Sequence, residues 1–395
     1  MRFFKLYLDI IHTADWHLGK NRSIPDYLKQ QSYMLEGVVK QVRDKCAALT
    51  SEGHVWLLLS GDIFDRNEDT QREEFQLLLL FFIAPIQKLL EKYDKLEIFC
   101  IDGNHDRFPF DRTDLHAALV QGGVSVLSSL ADVLPERFHL QVDTPRLVTS
   151  KTGATMLMVP FQNLTEKGLR SLIKEYAPNF VMAHECLARM ETDTGYTPPR
   201  DQEKYLEIEN VLADCQVSGI FLGDIHKCQN MDLKGVCWYS GSPITLDHGH
   251  KLPKGLLHHK FELDTDWVRS NPPNLETIVD TRIRTHLQLG LVTGEIVPNP
   301  CLNFEQHYIK LIVTPESYKV IDAANPEFFH SPLVSWDFDK THITENNPED
   351  TPATSQVHYY EDLVNKWTDE NLYHLDTQDK SICLTRIFEQ FKRRI

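Results

Sequence analysis

Short apolar runs that end in an acid, an amide or an imidazole recur along the first 230 or so residues. Leu6 to Ile11, Val55 to Leu59, Lys95 to Ile101, Phe180 to Ala183 and Val217 to Leu222 are runs of this kind. An apolar run of that length between turn residues predicts a strand buried on both faces. Between the first runs the apolar spacing becomes helical, over Ser23 to Thr50, Glu68 to Tyr93 and Asp111 to Gln121. Ser23 or Asp26 stands near the start of the first helix with Pro25 at an early position, and Gly122-Gly123 closes the third. Leu77 to Ala84 is apolar throughout and is followed by Pro85, which predicts a buried, kinked helix. It falls far short of the roughly 20 residues a membrane span needs. Strands alternating with helices predict a mostly parallel layer.

From Val124 to Pro160 the strands shorten, at 138–142, 146–148 and 155–159, which predicts a second sheet. A helix at 165–175, a strand at 179–183, a polar loop at 187–205 and strands at 217–222, 235–240 and 255–263 complete the pattern. The fold class is α/β: a two-sheet sandwich with outer helices, expected over residues 1–267. Asn271-Pro-Pro-Asn274 marks a boundary. Residues 277–340, with strand-like Tyr308 to Val313 and helical Pro315 to Ala324, read as a small α+β domain. Polar residues 341–356 read as a linker. Residues 357–395 hold two helical runs, the second placing Ile382, Leu384, Ile387, Phe388 and Phe391 on one side. Such a helix after a linker suits docking in a partner's groove; packing on its own domain is the alternative.

What ends each run decides the chemistry. The terminators are Asp15 and His17, then Asp62 and Asp65, then Asn104, His105 and Asp106, then His184, then Asp224 and His226. In open α/β sheets ligands bind at the C-terminal ends of strands. One His after a strand is ordinarily a structural residue. Five runs that deliver ligand-type side chains to one edge reverse that reading. Carboxylate, amide and imidazole together suit Mn, Fe or Zn, with no thiolate cluster to select zinc. The eight cysteines are scattered, outside any CxxC spacing, as in a reducing cytosol without a disulfide framework.

Asp15-Trp-His17, Gly61-Asp-Ile-Phe-Asp65, Gly103-Asn-His-Asp106, His184 and Gly223-Asp-Ile-His226, in this order, resemble the motifs of the calcineurin-like metallophosphoesterases. His12-Thr-Ala-Asp-Trp-His-Leu-Gly19, Ser60 to Asp65 and Tyr239-Ser-Gly-Ser-Pro-Ile244 resemble the SbcD-type nucleases, partners of SMC-like ATPases. The resemblance runs from about residue 6 to 263. It implies two Mn2+ ions, with Mg2+ as the alternative. Asp15, His17 and His226 would hold the first, and Asn104, His184 and Asp224 the second. Asp62 would bridge them, at the 3.5–4 Å spacing typical of such pairs. His105 would face the scissile phosphate, with Asp65 and Asp106 orienting imidazoles or, as the alternative for either, only holding the loop by hydrogen bonds; Asp62, His105 and Asp106 are the catalytic candidates. Asp224 stands where these nucleases usually carry His, which adds negative charge and favours harder ions.

The resemblance further implies a DNA exonuclease or endonuclease serving repair, recombination or phage genome processing. It implies an SbcC-like SMC-type ATPase held by the C-terminal helices. It also implies a homodimer, for which helix 111–121 and the helix at 70–93 are the candidate interfaces; the cysteine pattern suits a cytoplasmic location, the host's if the chain is viral. Residues 277–340 resemble, weakly, the capping domain of these nucleases. A phosphoprotein or small-molecule phosphatase on the same core is the alternative, although Trp16, Leu18 and Asp106 depart from phosphatase wording.

The net charge of −16 is unexpected for a nucleic-acid enzyme. It argues for a partner that supplies basic surface. Lys20, Asn21, Arg22, Arg66 and Arg107 lie just beyond the motifs and are the candidate contacts to a phosphate backbone. Trp16 is expected in the core.

Overall fold

A computed structural model of the chain describes residues 6–20, 27–65, 72–108, 124–130, 134–162, 164–193, 195–197, 207–246, 253–263, 266–278, 285–291, 307–313 and 334–338. By its internal contacts the chain divides into two compact units, Met1–Asp337 and Phe338–Ile395.

The first sheet contains β1 (Leu6–Thr13), β2 (Gly53–Ser60), β3 (Leu96–Ile101), β6 (Phe138–Gln141), β13 (Leu256–Leu263), β14 (Trp267–Arg269) and β15 (Asn274–Glu276). Its order is β14-β13-β1-β2-β3-β6, with β15 also on β13. The strands β1, β2, β3 and β6 run parallel, and β13 pairs antiparallel with β1. The second sheet, ordered β11-β12-β10-β9-β8-β7, contains β7 (Arg146–Thr149), β8 (Thr155–Val159), β9 (Phe180–His184), β10 (Gly219–Gly223), β11 (Gln229–Asn230) and β12 (Cys237–Tyr239). Strands β8, β9, β10 and β12 are mutually parallel. A short ribbon pairs β4 (Arg107–Phe108) with β5 (Val124–Ser125). A separate three-stranded sheet joins β16 (Thr285–Leu291), β17 (His307–Val313) and β18 (Val334–Phe338), the first two parallel.

The sequence pattern explains the layering. Strand side chains alternate faces. In β1 and β2 one face supplies Leu8, Ile10, Trp56 and Leu58 to a cluster shared with Met156, Met158, Phe180 and Phe221 of the second sheet. The other faces supply Ile11, Val55, Leu57 and Leu59 to a second cluster. That cluster is completed by helices α1 (Tyr27–Ala47), through Met34, Leu35, Val38 and Val42, and α2 (Arg72–Lys92), through Phe82, Ile86, Leu89 and Leu90. These positions recur at about 3.6 residues, one stripe of each helix. The outer face of the second sheet is covered by α3 (Glu166–Tyr176) and α4 (Ile208–Leu212), through Leu169, Ile173, Ile208 and Val211. Two sheets are therefore packed face to face with helices outside. Trp16 is fully buried, with Nε1 donating to Thr13 Oγ1 at 2.8 Å.

Two expectations change. β6 joins the first sheet, parallel to β3, so the chain crosses to the second sheet only after Gln141. The short strands at 138–142 and 146–148 look alike in sequence; which sheet each joins depends on what packs beneath it. Second, β14 and β15 still pair with β13 and Ile278 packs into the α1 side of the core, so the first sheet continues past Trp267. The helix expected over Glu68 to Tyr93 is α2, with Pro85 inside it. The expected helices at 111–121 and 357–395, and the linker at 341–356, lie outside the described residues. No helix among those described is long and apolar enough to cross a membrane.

One feature of the inter-sheet core was not anticipated. His12 on β1 and His259 on β13 are fully buried with ring centroids 5.8 Å apart, and neither ring nitrogen of His259 has a hydrogen-bond partner. Burial lowers the pKa of His12 to about 3, a weak backbone contact at Leu222 offsetting only part of this, and burial followed by the Arg269 charge lowers that of His259. A folded pKa below the unfolded value means that below about pH 6.5 the unfolded chain takes up a proton the folded one refuses. Stability is then lost at about 1.4 kcal/mol per pH unit for His12 as pH falls toward 3. His12→Leu is expected to raise the urea midpoint more at pH 5 than at pH 7. Equal shifts at both pH values would show that the ring is not held neutral.

Candidate metal centre

The parallel strands bring five loops to one edge. Loop one, after β1, is zipped to loop two, after β2, by backbone bonds: Asp15 N to Gly61 O, His17 N to Asp62 O, Leu18 N to Ile63 O and Asp65 N to Leu18 O. Asp106 ties loop two to loop three, after β3. Its carboxylate accepts the amides of Ile63, Phe64 and Gly103 at 3.2, 2.8 and 2.9 Å. Burial, and then the Asp62 charge, push its pKa up to about 7. The second sheet meets the first through His184, whose Nδ1 donates to Ser60 O at 2.8 Å, and through Asp224 N, which donates to Asp15 Oδ1 at 3.1 Å.

The close approach explains two motif glycines. A methyl at Gly103 would stand 2.0 Å from Asp62 Oδ1, and one at Gly223 would stand 2.0 Å from the Ser60 carbonyl oxygen. The backbone is strained at the same edge. Asp15, His17, Asp62 and Asp224 all adopt positive φ, at 54°, 46°, 53° and 91°. Non-glycine residues hold such angles where surrounding structure over-determines them, and these cluster at functional sites.

The side chains fall into two sets about Asp62. In the first, His17 Nε2 lies 3.1 Å from His226 Nε2 and 3.6 Å from Asp62 Oδ2. The Nδ1 of His17 faces Asp65 Oδ1 at 3.3 Å, which leaves the Nε2 lone pair pointing inward. Asp15 lies between the sets: its carboxylate groups with the imidazoles of His17 and His226 and also with Asp62 and His184. In the second set, His184 Nε2 lies 3.1 Å from Asn104 Oδ1, 3.5 Å from Asp62 Oδ1 and 3.7 Å from Asp224 Oδ1. Each set thus takes one oxygen of Asp62.

These residues fit cations. Asp15 Oδ2 is buried and has no hydrogen-bond partner. Burial pushes the Asp15 pKa well up; His184 offsets part of this, and the Asp62 and Asp224 charges add to it. His184 moves the other way. Burial opposes its charge, but Asp62, then Asp224 and Asp15, raise its pKa well above the ordinary value. Burial likewise opposes the charge of Asp62, yet His184 and then His17 and His105 hold its carboxyl well below the usual range. A donor set of carboxylate, amide and imidazole in this negative field suits divalent ions of the Mn or Mg kind.

His105 is placed differently. Its side chain is 42 % exposed, the most open of the cluster, and Nδ1 donates to Asp65 Oδ1 at 2.8 Å. Its backbone N–H donates to Asp62 Oδ1 at 2.9 Å. Burial lowers its pKa, but the Asp65 hydrogen bond and then the Asp62 charge outweigh this and raise it. Asp65 therefore orients two imidazoles with one oxygen.

Two expectations are corrected. Asp106 orients no imidazole and is closed off from substrate: it is fully buried and its carboxylate oxygens hold backbone amides. Arg107 does not reach outward as a phosphate contact. Its side chain is 10 % exposed and pairs with the buried carboxylate of Asp102, Nε to Oδ2 at 2.9 Å and Nη2 to Oδ1 at 3.1 Å. Lys20 is half-buried, with its backbone closing the turn on His17 O. Asn21, Arg22 and Arg66 lie outside the described residues.

Several supports carry no motif signal. Gln31 of α1 accepts from Gly19 N and donates to His17 O, each at 2.9 Å. Lys254 is buried, with Nζ on Asp193 Oδ2 and on His226 O, each at 2.6 Å. Ser242 N also donates to His226 O, at 3.1 Å. The Tyr239-to-Ile244 stretch therefore braces a candidate ligand from behind.

A two-sheet α/β sandwich that gathers Asp, Asn and His into two sets sharing one carboxylate is the arrangement of a metal-dependent hydrolase. The model of the calcineurin-like phosphoesterase family matches residues 8–228, more than half of the chain, and the chain belongs to that family. Metal-dependent phosphoester hydrolysis is the chemistry of the family. Among solved structures, the chain is similar to a Staphylococcus aureus protein provisionally assigned as a 5′-nucleotidase, at 12 % identity and TM-score 0.35 over 70 % of this chain; it spans 55 % of that protein's length. It is also similar to the calcineurin-like phosphoesterase YfkN of Bacillus subtilis, at 11 % identity and TM-score 0.37 over 69 % of this chain and 91 % of that one.

Proposed function

We propose that the chain is a dinuclear-metal DNA nuclease, the phosphodiesterase subunit of an SbcCD-type complex with an SMC-type ATPase. The observation that carries the two-ion part is the division of Asp62, Oδ2 toward His17 and Oδ1 toward His184. Asp15, His17, Asp62 and His226 would hold one ion. Asp62, Asn104, His184 and Asp224 would hold the other. Bound there, Mn2+ or Mg2+ ions would supply a water of lowered pKa and neutralise charge on the phosphoryl oxygens.

The protein's own groups do the rest. His105, open to solvent and held by Asp65, presents Nε2 outward and carries a proton toward neutral pH; its task is to donate to the leaving oxygen. The four backbone bonds between loops one and two, with Asp106 and Gln31, keep the ligands in place before substrate arrives. The choice of DNA rests on sequence: His12 to Gly19, Ser60 to Asp65 and Tyr239 to Ile244 carry the wording of SbcD-type nucleases.

The test is cleavage by the purified chain with Mn2+, in parallel on linear duplex DNA, single-stranded DNA and p-nitrophenyl phosphate, with a chelator control. DNA degradation that the chelator stops is the expected result. Monoester turnover with intact DNA would move the chain to the phosphatases. Silence on all three substrates with both ions bound, persisting after the SMC-type ATPase is added, would make it a metal-binding scaffold.

A further inference from the structure

Asp224 is the one candidate ligand that departs from the wording of the SbcD-type nucleases, and its neighbour gives that departure a physical form. The Cys186 thiol lies two residues past His184 and donates to Asp224 Oδ2. The other oxygen, Oδ1, is the one that faces His184 Nε2 at 3.7 Å. A free carboxylate can rotate, or offer both oxygens to one ion. With one oxygen engaged by a donor it presents the other alone.

Residue 186 is itself held on both sides. The buried Tyr239 hydroxyl donates to Glu185 O at 2.6 Å and accepts from Leu187 N at 2.9 Å. Glu185 in turn accepts the amides of Gln162 and Leu164 at 3.2 and 3.1 Å. Tyr239 opens the Tyr-Ser-Gly-Ser-Pro-Ile stretch, so the motif that braces His226 also fixes the chain around Cys186.

We propose that Cys186 is a positioning residue for the second ion: its S–H engages Asp224 Oδ2 and so makes Asp224 a one-oxygen ligand through Oδ1. The inference rests on the reading that Asp224 serves an ion. The thiol is not itself a ligand in this arrangement, because it faces the oxygen turned away from His184. No bond is made or broken; the proton stays on sulfur.

The test is calorimetric titration of the full-length chain with Mn2+, without substrate. In Cys186→Ala one of the two binding steps is expected to weaken by about 10- to 100-fold, the usual effect of removing a hydrogen-bond partner of a ligand, while the other step holds. Cys186→Ser keeps a donor and is expected to restore the step. In an Asp224→Ala background, Cys186→Ala is expected to cost nothing further. Circular dichroism checks that each variant is folded. Three results would overturn the proposal: unchanged binding in Cys186→Ala, equal weakening of both steps, or a sulfur-to-metal charge-transfer band on adding Cd2+ to the wild type that Cys186→Ala lacks, which would make this thiol, out of the eight cysteines, a ligand. A folded wild-type chain that takes up no ion would instead overturn the metal-site reading itself.

Discussion

Replacing Asp62 with Ala is expected to remove both cation sites together and, with them, hydrolysis of every phosphoester the protein accepts. The reason is geometric. The carboxylate stands between the two sets, 3.6 Å from His17 Nε2 through one oxygen and 3.5 Å from His184 Nε2 through the other. Losing it also leaves the His105 backbone N–H without its acceptor on loop two. Loss of one preorganised donor at a developing charge costs about 10²–10³ in rate, so loss of both ions should exceed about 10³-fold. Calorimetry with Mn2+ checks the binding part: uptake of fewer than one ion per chain is expected, against two for the wild type. A variant that keeps one ion at wild-type affinity would show that Asp62 serves one set only.

His105→Ala should separate chemistry from ion binding. The imidazole packs edge-on against the His17 ring, with centroids 4.6 Å apart, and its Nδ1 is committed to Asp65 Oδ1 rather than to an ion. Both ions should therefore still bind. If His105 donates the proton to the leaving oxygen, kcat on DNA should fall by about 10²–10⁴, the usual span for general acid catalysis. On a p-nitrophenyl ester the loss should be much smaller, because nitrophenolate departs without a proton. The sign with pH follows from the raised pKa. The acid form of His105 persists to higher pH in the folded protein, and activity should decline as pH rises through that pKa. Equal losses on the two substrates, or loss of both ions, would make His105 a structural residue.

Much of the candidate site was legible because a ligand in an α/β fold has to stand at a strand's end. Apolar runs buried on both faces identify the strands, and the polar residue that ends each one is displayed at the edge. That logic placed Asp15, His17, Asp62, Asn104, His184, Asp224 and His226 among the candidates, the family resemblance chose these seven as ligands, and the structure brings all seven together. It misplaced Asp106 and Arg107 for a common reason. Both lie on the correct loop, yet one points into backbone amides and the other back onto Asp102. Position along a loop does not tell which way a side chain turns.

Sequence by itself determined the α/β alternation, the two sheets, the outer helices and the inventory of ligand-type side chains, because these depend on periodicity and residue type, which are local. Tertiary structure alone decided that β6 belongs to the first sheet and that the first sheet extends through β15. It alone decided that Asp62 divides its oxygens, that Asp65 serves two imidazoles, and that Cys186 and Lys254 stand behind Asp224 and His226. Each of these is a contact between residues far apart in the chain, or a choice of which oxygen or ring nitrogen faces which neighbour. Such choices are made when two sheets close on each other and the buried polar atoms must find partners.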